Sequence, residues 1–460
     1  MFRVNLGSTG RYCDGLSRRS FLQVGMAGMG AAGLSQLLQA KDASAAAVGG
    51  KKDTSVILLW LDGGPGHMDT YDMKPDAPPE YRGIWRPIKT NVPGIEMTEL
   101  FPLQAKVADK FSIVRSLYHN NGDHFTGGHW MLTGRGAGVS GGSNAGKFPF
   151  FGSIASKVLG PRNPAMPANV AVPYAMSIGL RPGYFGGNYL GPQNNPFETE
   201  GDANSDKFQV KNLALSNQLT LERLESRRSL LSHFDHLRRE TDRSGQLEAM
   251  DRFDRQAYEM VTGEQARKAF AISEEDAATR ERYGRHPWGQ STLLARRLVE
   301  AGTTFVTCHF GGWDHHWNLQ SGMENYLPKI DQLVSALFTD LHERGLDEKV
   351  LVVLCGEFSR TPRMNDGGNG GAPGSMGTPG RDHWGNSMFC LLGGGGVKGG
   401  RIVGSTNRLG EAPQDHPLRP GDIHHTIFRV LGVDPNLHFL DPSGRPIAAI
   451  DHGAPIDELF

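Results

Sequence analysis

The stretch KVLVVLCGEFSRTP, residues 349–362, decides how the fold of this chain is interpreted. Its first half is a short run of aliphatic residues, typical of a strand that is buried on both faces of a parallel sheet. Glu357 and Arg360 follow that run at once. In open α/β sheets, ligands bind beyond the carboxyl ends of the strands. The stretch therefore predicts a buried strand that ends at a charged site, where a carboxylate near histidines of other loops suggests a metal ion.

Four further apolar runs predict strands of the same kind, and helical patterns lie between several of them. A helix is predicted over residues 290–302, with Ser291 as its N-cap and Gly302 as its C-cap, and another over residues 326–344. Strands that alternate with helices favour an α/β fold, a mainly parallel sheet with helices on both faces. The four runs are residues 55–61, 111–117, 303–310 and 387–393.

Polar side chains of the kinds that bind metals and oxyanions collect at these strand ends. Carboxylate and imidazole ligands without thiolates suit zinc, manganese, calcium or magnesium. Two such clusters could hold two ions, an arrangement that suits in-line displacement at phosphorus or sulfur. Arginine could then bind a tetrahedral oxyanion in bidentate fashion. The candidates are Asp62 after the first run, His124 and Thr126 after the second, Asp314 and His316 after the third, Glu357 and Arg360 after the fourth, and Arg381 and His383 before the fifth.

The composition restricts the class of protein and its organisation. The net charge is −1 without long blocks of like charge, which argues against a nucleic-acid partner. Glycine stands at 61 of 460 positions, roughly twice the usual share, and with 27 prolines it predicts long loops. Within a single domain over residues 48–460, we predict a loop-rich segment at 136–205 and a helical insertion at 206–282. The insertion would cap the site or cover an exposed edge.

The cysteines fit no disulfide framework. Beyond residue 47 there are three, Cys308, Cys355 and Cys390, an odd number, and each lies in an apolar run that resembles a strand. We interpret them as buried free thiols. No CxxC pair is present, which argues against a structural zinc site.

The N-terminal segment has the pattern of a twin-arginine export signal. Arg18 and Arg19 precede a weakly apolar, Gly/Ala-rich stretch, and small residues near Ala45 offer a cleavage site. The stretch is short and glycine-rich for a membrane span. We expect residues 1–47 to engage the twin-arginine translocase, and the mature protein to lie in the periplasm or elsewhere outside the cytoplasm without a stable membrane span.

The chain resembles the exported bacterial proteins of domain-of-unknown-function family 1501, abundant in planctomycetes, and more broadly the sulfatase-like branch of the alkaline phosphatase superfamily. The matching stretches cover residues 48–460 nearly end to end. They are LWLDGGPGHMDTYD, HWMLTGR, YGRHPWGQSTLLARRLVEAG, GGWDHHWN, CGEFSRTPR, GRDHW and GRPIAAIDHGAPIDELF.

This resemblance implies a ligand set of Asp62, Asp314, His316, Glu357 and His383 for one or two divalent ions. It also implies a departure from the superfamily, because Phe358 stands where a metal-binding histidine is usual. The slot of the nucleophile falls on His124, and no cysteine is near enough to supply a formylglycine. Thr126, a water activated by metal, or a phosphohistidine-type role of His124 remain open, as does loss of catalysis.

Two functions therefore follow from the sequence. The first is an exported metal-dependent hydrolase that acts on phosphate or sulfate esters of a small molecule or polysaccharide. The second is a binding or cell-surface protein without catalytic activity on a degenerate fold of the same class. A metal-dependent phosphomutase is a weaker third, because such enzymes are usually cytosolic and this chain carries an export signal.

Overall fold

The structure, a computed structural model, describes residues 53–136, 148–210, 263–367 and 378–460. Most of the predicted helical insertion and the whole predicted signal lie outside these residues. The predicted α/β fold with a mainly parallel sheet is confirmed. Eight strands form that sheet: β1 (Ser55–Asp62), β2 (Ser112–Leu117), β3 (Asn169–Val172), β4 (Phe197–Glu198), β5 (Phe305–Gly311), β6 (Val350–Cys355), β7 (Met388–Gly393) and β8 (Ile402–Val403).

The order of these strands across the sheet is β8-β2-β7-β6-β1-β5-β3-β4. Strands β6 and β5 flank β1 in parallel, and β3 and β4 continue in parallel beyond β5. Strand β7 is antiparallel to both of its neighbours, β6 and β2. Because β7 runs the opposite way, the residues that precede it reach the same edge of the sheet as the residues that follow the parallel strands.

Helices cover both faces of the sheet, so its strands alternate between two apolar cores. In β1, Ile57 and Leu59 face the core that includes α5 and α6, whereas Leu58 and Trp60 face the core that includes α1, α2 and α7. Full burial stabilises each such side chain by roughly 1.5–3 kcal/mol. The helices are α1 (His124–Thr133), α2 (Phe151–Leu159), α3 (Glu264–Phe270), α4 (Ala277–Tyr283), α5 (Pro287–Glu300), α6 (Leu319–Glu343) and α7 (Pro420–Leu431).

Among the described residues, four two-stranded ribbons lie outside the main sheet. They pair Pro87–Lys89 with Glu96–Thr98, Ser359–Arg360 with His383–Trp384, Ser405–Thr406 with Pro413–Asp415, and His438–Leu440 with Pro446–Ala448. The second ribbon matters for the site, because it brings the residues after β6 against the residues before β7. Among the residues that the structure describes, no helix combines the length and apolarity needed to cross a membrane.

The two predicted helices are present with different beginnings. Helix α5 is capped by His286, whose side chain accepts from Gly289 N–H, and Ser291 lies inside the helix. The predicted cap was wrong because the chain already turns helical at Pro287, and proline suits a first helical position. Helix α6 begins at Leu319, seven residues before the predicted start, and contains Pro328.

Two buried histidines predict that the fold is sensitive to acid. His119 Nε2–H donates to the carbonyl oxygen of Glu357 (2.5 Å), and His424 Nε2–H donates to that of Met131 (2.7 Å). Burial lowers the pKa of each ring to about 4. This pKa lies below the value of roughly 6.5 in the unfolded chain. Each neutral ring therefore makes its full contribution to the stability of the fold above about pH 6.5, and that contribution is lost as the pH falls toward 4.

For each ring, we expect the free energy of unfolding to decrease by about 2 kcal/mol when the pH is lowered from about 7 to about 5. Thermal unfolding at both pH values checks this for the wild type and His424→Gln. The variant should show the smaller drop in midpoint temperature, since its side chain cannot take up a proton. An equal drop in both proteins would contradict the assignment.

Candidate metal centre

The carboxylate of Asp314 lies at the centre of a cluster of histidines. Its Oδ1 is 3.0 Å from His316 Nε2 and 3.1 Å from His383 Nε2, and its Oδ2 is 3.3 Å from His124 Nε2. These side chains come from the loop after β5, the loop before β7 and the first residue of α1. The strand order explains why these side chains lie together, because all three segments reach the same edge of the sheet.

The protons on two of these rings can be assigned from their other contacts. His383 Nδ1 lies 2.7 Å from the carbonyl oxygen of Gly122, which can only accept, so Nδ1 carries the proton. His316 Nδ1 lies 2.7 Å from Asp382 Oδ1, again an acceptor when ionised. In the neutral rings, both Nε2 atoms therefore present lone pairs.

These two Nε2 atoms lie only 2.9 Å apart. Two facing lone pairs repel each other unless a proton or a cation lies between them. Metal-binding histidines commonly donate their second N–H to a carbonyl or carboxylate, as both rings do here. The group formed by Asp314, His316 and His383 thus fits a divalent cation, and its two imidazoles suit zinc better than calcium or magnesium.

His124 stands on the other side of the Asp314 carboxylate. Its Nδ1 lies 2.6 Å from Glu357 Oε1. Its Nε2 is buried and, although 3.3 Å from Asp314 Oδ2, is directed too poorly for a hydrogen bond and has no other partner in the described structure. A buried ring nitrogen without a partner is what a ligand or substrate position would satisfy. The ligating atoms of His124, Asp314 and His383 all lie within 4.8 Å of one another.

The charges of the cluster are strongly coupled. Burial alone would raise the pKa of Asp314, but its close contacts with His124, His316 and His383 and the charge of Arg360 hold that pKa far below its usual range. Burial also lowers the pKa of His124, yet the carboxylates of Asp314 and Glu357 outweigh it and raise that pKa to about 9. At neutral pH without metal, His124 is therefore an imidazolium between two carboxylates.

Glu357 is fully buried, and both of its carboxylate oxygens accept from Gly63 N–H, at 2.9 and 3.1 Å. Burial raises its pKa, and the bond to His124 opposes that shift. Phe358 follows Glu357 and packs its ring against His124 and His383, with centroids 4.9 and 4.6 Å away. The residue beside the carboxylate thus forms an apolar wall of the site.

Asp62 does not join the cluster as predicted. Its Oδ1 accepts from Ser177 Oγ (2.8 Å), and its Oδ2 accepts from Ile178 N–H (2.7 Å) and contacts His309 Nε2 (3.1 Å). The carboxylate is thus satisfied by the loop after β3 and by a histidine of β5. It still lies close enough for its charge to raise the pKa of Glu357.

The sequence interpretation missed His309. The residue interrupts the apolar run of β5 and stands in register with Trp60 of β1, two residues before Asp62. A polar residue near the end of a buried strand was the signal that could have identified it.

Arg360 and Arg381, the alternative candidates for binding an oxyanion, are both fully buried and engaged within the protein. Arg360 donates to Asp314 Oδ1 (2.6 Å) and to the carbonyl oxygens of Gly63 and Gly64, so it positions the carboxylate and the turn after β1. Arg381 forms an ion pair with Asp69 (2.8 Å) and donates to backbone carbonyls that include Thr361, away from the cluster.

Thr126, one of the candidate nucleophiles, is engaged at the beginning of α1. Both its backbone N–H and its hydroxyl donate to Asp123 Oδ1, each at 2.8 Å, so Asp123 is the N-cap of the helix. The hydroxyl is thereby held toward the cap. His124, one helical position after the cap, is the side chain that α1 brings to Asp314.

Fold and site together define an α/β protein with a cluster of imidazole and carboxylate groups at the carboxyl edge of its sheet. Residues 53–460 match the family described as "Protein of unknown function (DUF1501)", and the chain belongs to that family. No curated protein matches the chain.

Several solved structures are similar in fold. The phosphonate monoester hydrolase of Silicibacter pomeroyi is 11% identical with a TM-score of 0.40, covering 88% of this chain and 76% of its own. The PsFucS1 sulfatase from Pseudoalteromonas sp. is 13% identical with a TM-score of 0.37, covering 85% and 72%. The alkaline phosphatase from the Antarctic bacterium TAB5 is 12% identical with a TM-score of 0.37, covering 84% and 100%. At such identities, the activity has to be sought in the chain's own side chains.

Replacing either histidine of the facing pair should remove the metal. For His316→Ala and His383→Ala we expect affinity for zinc to fall by more than about 100-fold, because each removes one ligand and leaves the other ring without a shared cation. Elemental analysis after dialysis, followed by titration against a competing chelator, measures this. His309→Ala is the matched control, a histidine at the same edge that contacts Asp62 instead. Retention of metal by His316→Ala, or its loss in His309→Ala, would contradict the assignment.

Proposed function

We propose that this chain is a metal-dependent hydrolase of phosphate or sulfate esters that acts outside the cytoplasm. The observation that carries the proposal is the approach of His316 Nε2 and His383 Nε2 to 2.9 Å beside the Asp314 carboxylate. Three protein ligands with an open coordination position are typical of catalytic zinc sites. When bound, the metal would supply Lewis-acid stabilisation of charge and lower the pKa of water.

His124 is the side chain placed to handle protons or to form a covalent bond. Glu357 fixes its orientation through Nδ1 (2.6 Å), so that Nε2 faces the Asp314 side of the cluster. A carboxylate that holds the distal nitrogen of a histidine is the arrangement that directs the other nitrogen toward a substrate in hydrolases. We assign Nε2 of His124 as the atom that accepts or donates the proton of the reacting group.

The charges of the site favour an anionic substrate. The cation and the amino end of α1 both contribute positive potential at the same place. Phosphate and sulfate esters carry their negative charge on the group that reacts, and substrates of this class are small molecules or polysaccharides. Arg360 supports the site from behind by holding Asp314 (2.6 Å).

One observation favours a second function, binding without catalysis. The hydroxyl of Thr126 and the guanidinium groups of Arg360 and Arg381 are all engaged within the protein. A protein that only binds an anion through its metal would need none of them. Hydrolysis of an ester by the metal-loaded protein would distinguish the hydrolase from the binding protein.

The proposed hydrolase depends on His124 and not on Thr126. We expect His124→Asn to lower kcat by about 100-fold or more on the ester that the wild type hydrolyses, with metal content kept by Asp314, His316 and His383. Thr126→Val is the control and should stay within a few-fold of wild type. Initial rates on nitrophenyl phosphate, phosphonate and sulfate esters, with metal content measured in parallel, provide the test. Full metal loading without turnover of any ester would favour the binding protein, and loss of activity in Thr126→Val would restore Thr126 as the nucleophile.

The proposed location depends on residues 1–47, which lie outside the described residues. We expect these residues to carry a folded reporter protein across the cytoplasmic membrane, and Arg18→Lys with Arg19→Lys to abolish that transport, because twin-arginine signals require the pair. Fractionation of cells that express both fusions measures it. Equal export by the two fusions would contradict the twin-arginine route.

A further inference from the structure

Two of the cysteines stand opposite each other in the central sheet. Strands β6 and β7 are antiparallel, with Val352 paired to Gly393, Val353 to Leu392 and Leu354 to Leu391. One further step of the same register places Cys355 opposite Cys390. Side chains directly opposite in antiparallel strands have Cβ atoms about 4.5–5.5 Å apart.

The two thiols also share one face of the sheet. Cys355 and Cys390 belong to the core that includes α1, α2 and α7, whereas their neighbours Leu354 and Leu391 face the other core. Both cysteines are free and almost completely buried, 3% and 0% exposed. The Cys355 thiol lies near enough to Cys390 to raise the pKa of the Cys390 thiol. The two thiols therefore lie close together on one face of the sheet.

We propose that Cys355 and Cys390 form a redox site that closes to a cross-strand disulfide under oxidising conditions. The oxidant is a disulfide of the glutathione class or of a dithiol oxidase. One cysteine thiolate attacks it and releases one thiol; the second thiolate then attacks the mixed disulfide and releases the other. The two cysteines lose two electrons and two protons, and the oxidant disulfide becomes two thiols.

The position of the pair connects it to the candidate metal centre. Glu357 lies two residues after Cys355, and His383 lies in the ribbon that leads into β7, the strand of Cys390. A bond between the sulfurs would tie together the two strands that deliver these side chains to one edge. The inference does not depend on the proposed hydrolysis, because the disulfide is detected without any substrate.

The timing of the reaction follows from burial. Desolvation and the neighbouring Cys355 raise the pKa of Cys390 well above its ordinary value, so the reactive thiolate is rare in the folded protein. The bond should therefore form only when the thiols are exposed to an oxidant, either during folding or when the folded chain opens outside the cytoplasm. Cys308 provides an internal control, because it is equally buried but lies on β5 and faces the other core.

The test uses the full chain made by cell-free synthesis in a mixture of oxidised and reduced glutathione, so that the thiols are accessible during folding. Folded monomer is isolated by size exclusion, unfolded with alkylating agent present, digested and analysed by mass spectrometry without reduction. We expect peptides linked through Cys355 and Cys390 in at least half of the chains, with Cys308 alkylated. A folded monomer in which fewer than half of the chains carry this link would overturn the proposal.

Variants provide a second readout that does not require the peptide link. Cys308→Ser should behave as wild type, and its thermal midpoint should fall when a reducing agent is added. The double variant Cys355→Ser, Cys390→Ser should show no dependence on the reducing agent. A wild-type midpoint that is unchanged by reduction, together with alkylation of all three cysteines, would show that the pair remains a dithiol.

Discussion

The site depends on the contacts of one carboxylate, that of Asp314. Its two oxygens lie within 3.3 Å of three imidazoles, and Arg360 donates to it at 2.6 Å. These partners come from four separate segments of the chain. A partly buried carboxylate with these neighbours holds those segments at one point, and its removal would leave the positive charges of Arg360 and His124 without their partner.

The turn after β1 makes this convergence possible. Gly63 has a φ of +112°, and a Cβ at this position would lie 2.7 Å from the backbone nitrogen of Asp314. Only glycine permits both the backbone conformation and the close approach. The same residue donates its N–H to Glu357, which in turn holds His124. The first strand thus contributes backbone to the site, while its carboxylate, Asp62, is directed to His309.

Much of the fold could be predicted from sequence because the strands are buried on both faces. Residues 55–61 and 349–355 are continuous apolar runs, and the structure has strands there with bounds that differ by one residue at an end. Strand β3 has four residues and β4 two, too short to stand out from a glycine-rich segment. The antiparallel direction of β7 could not be predicted either, because an apolar run does not indicate in which direction its strand will run within the sheet.

The site could be predicted to the level of which loops meet, but not to where each side chain points. Asp314, His316, His383, His124 and Glu357 come together because strand ends share an edge. The side chains of Asp62 and Arg381 do not join the cluster. Their partners, Ser177 and Asp69, lie in other loops of the chain. Such choices depend on tertiary contacts that have no signature in the local sequence.

The arrangement of the site requires a cation between His316 Nε2 and His383 Nε2. Crystals of the metal-loaded protein, with diffraction recorded on both sides of the zinc absorption edge, test it most directly. We expect an anomalous difference peak at bonding distance, roughly 2.0–2.1 Å, from both nitrogen atoms and beside Asp314. A peak bound elsewhere, or two rings that stay 2.9 Å apart with no peak in zinc-saturated crystals, would contradict it.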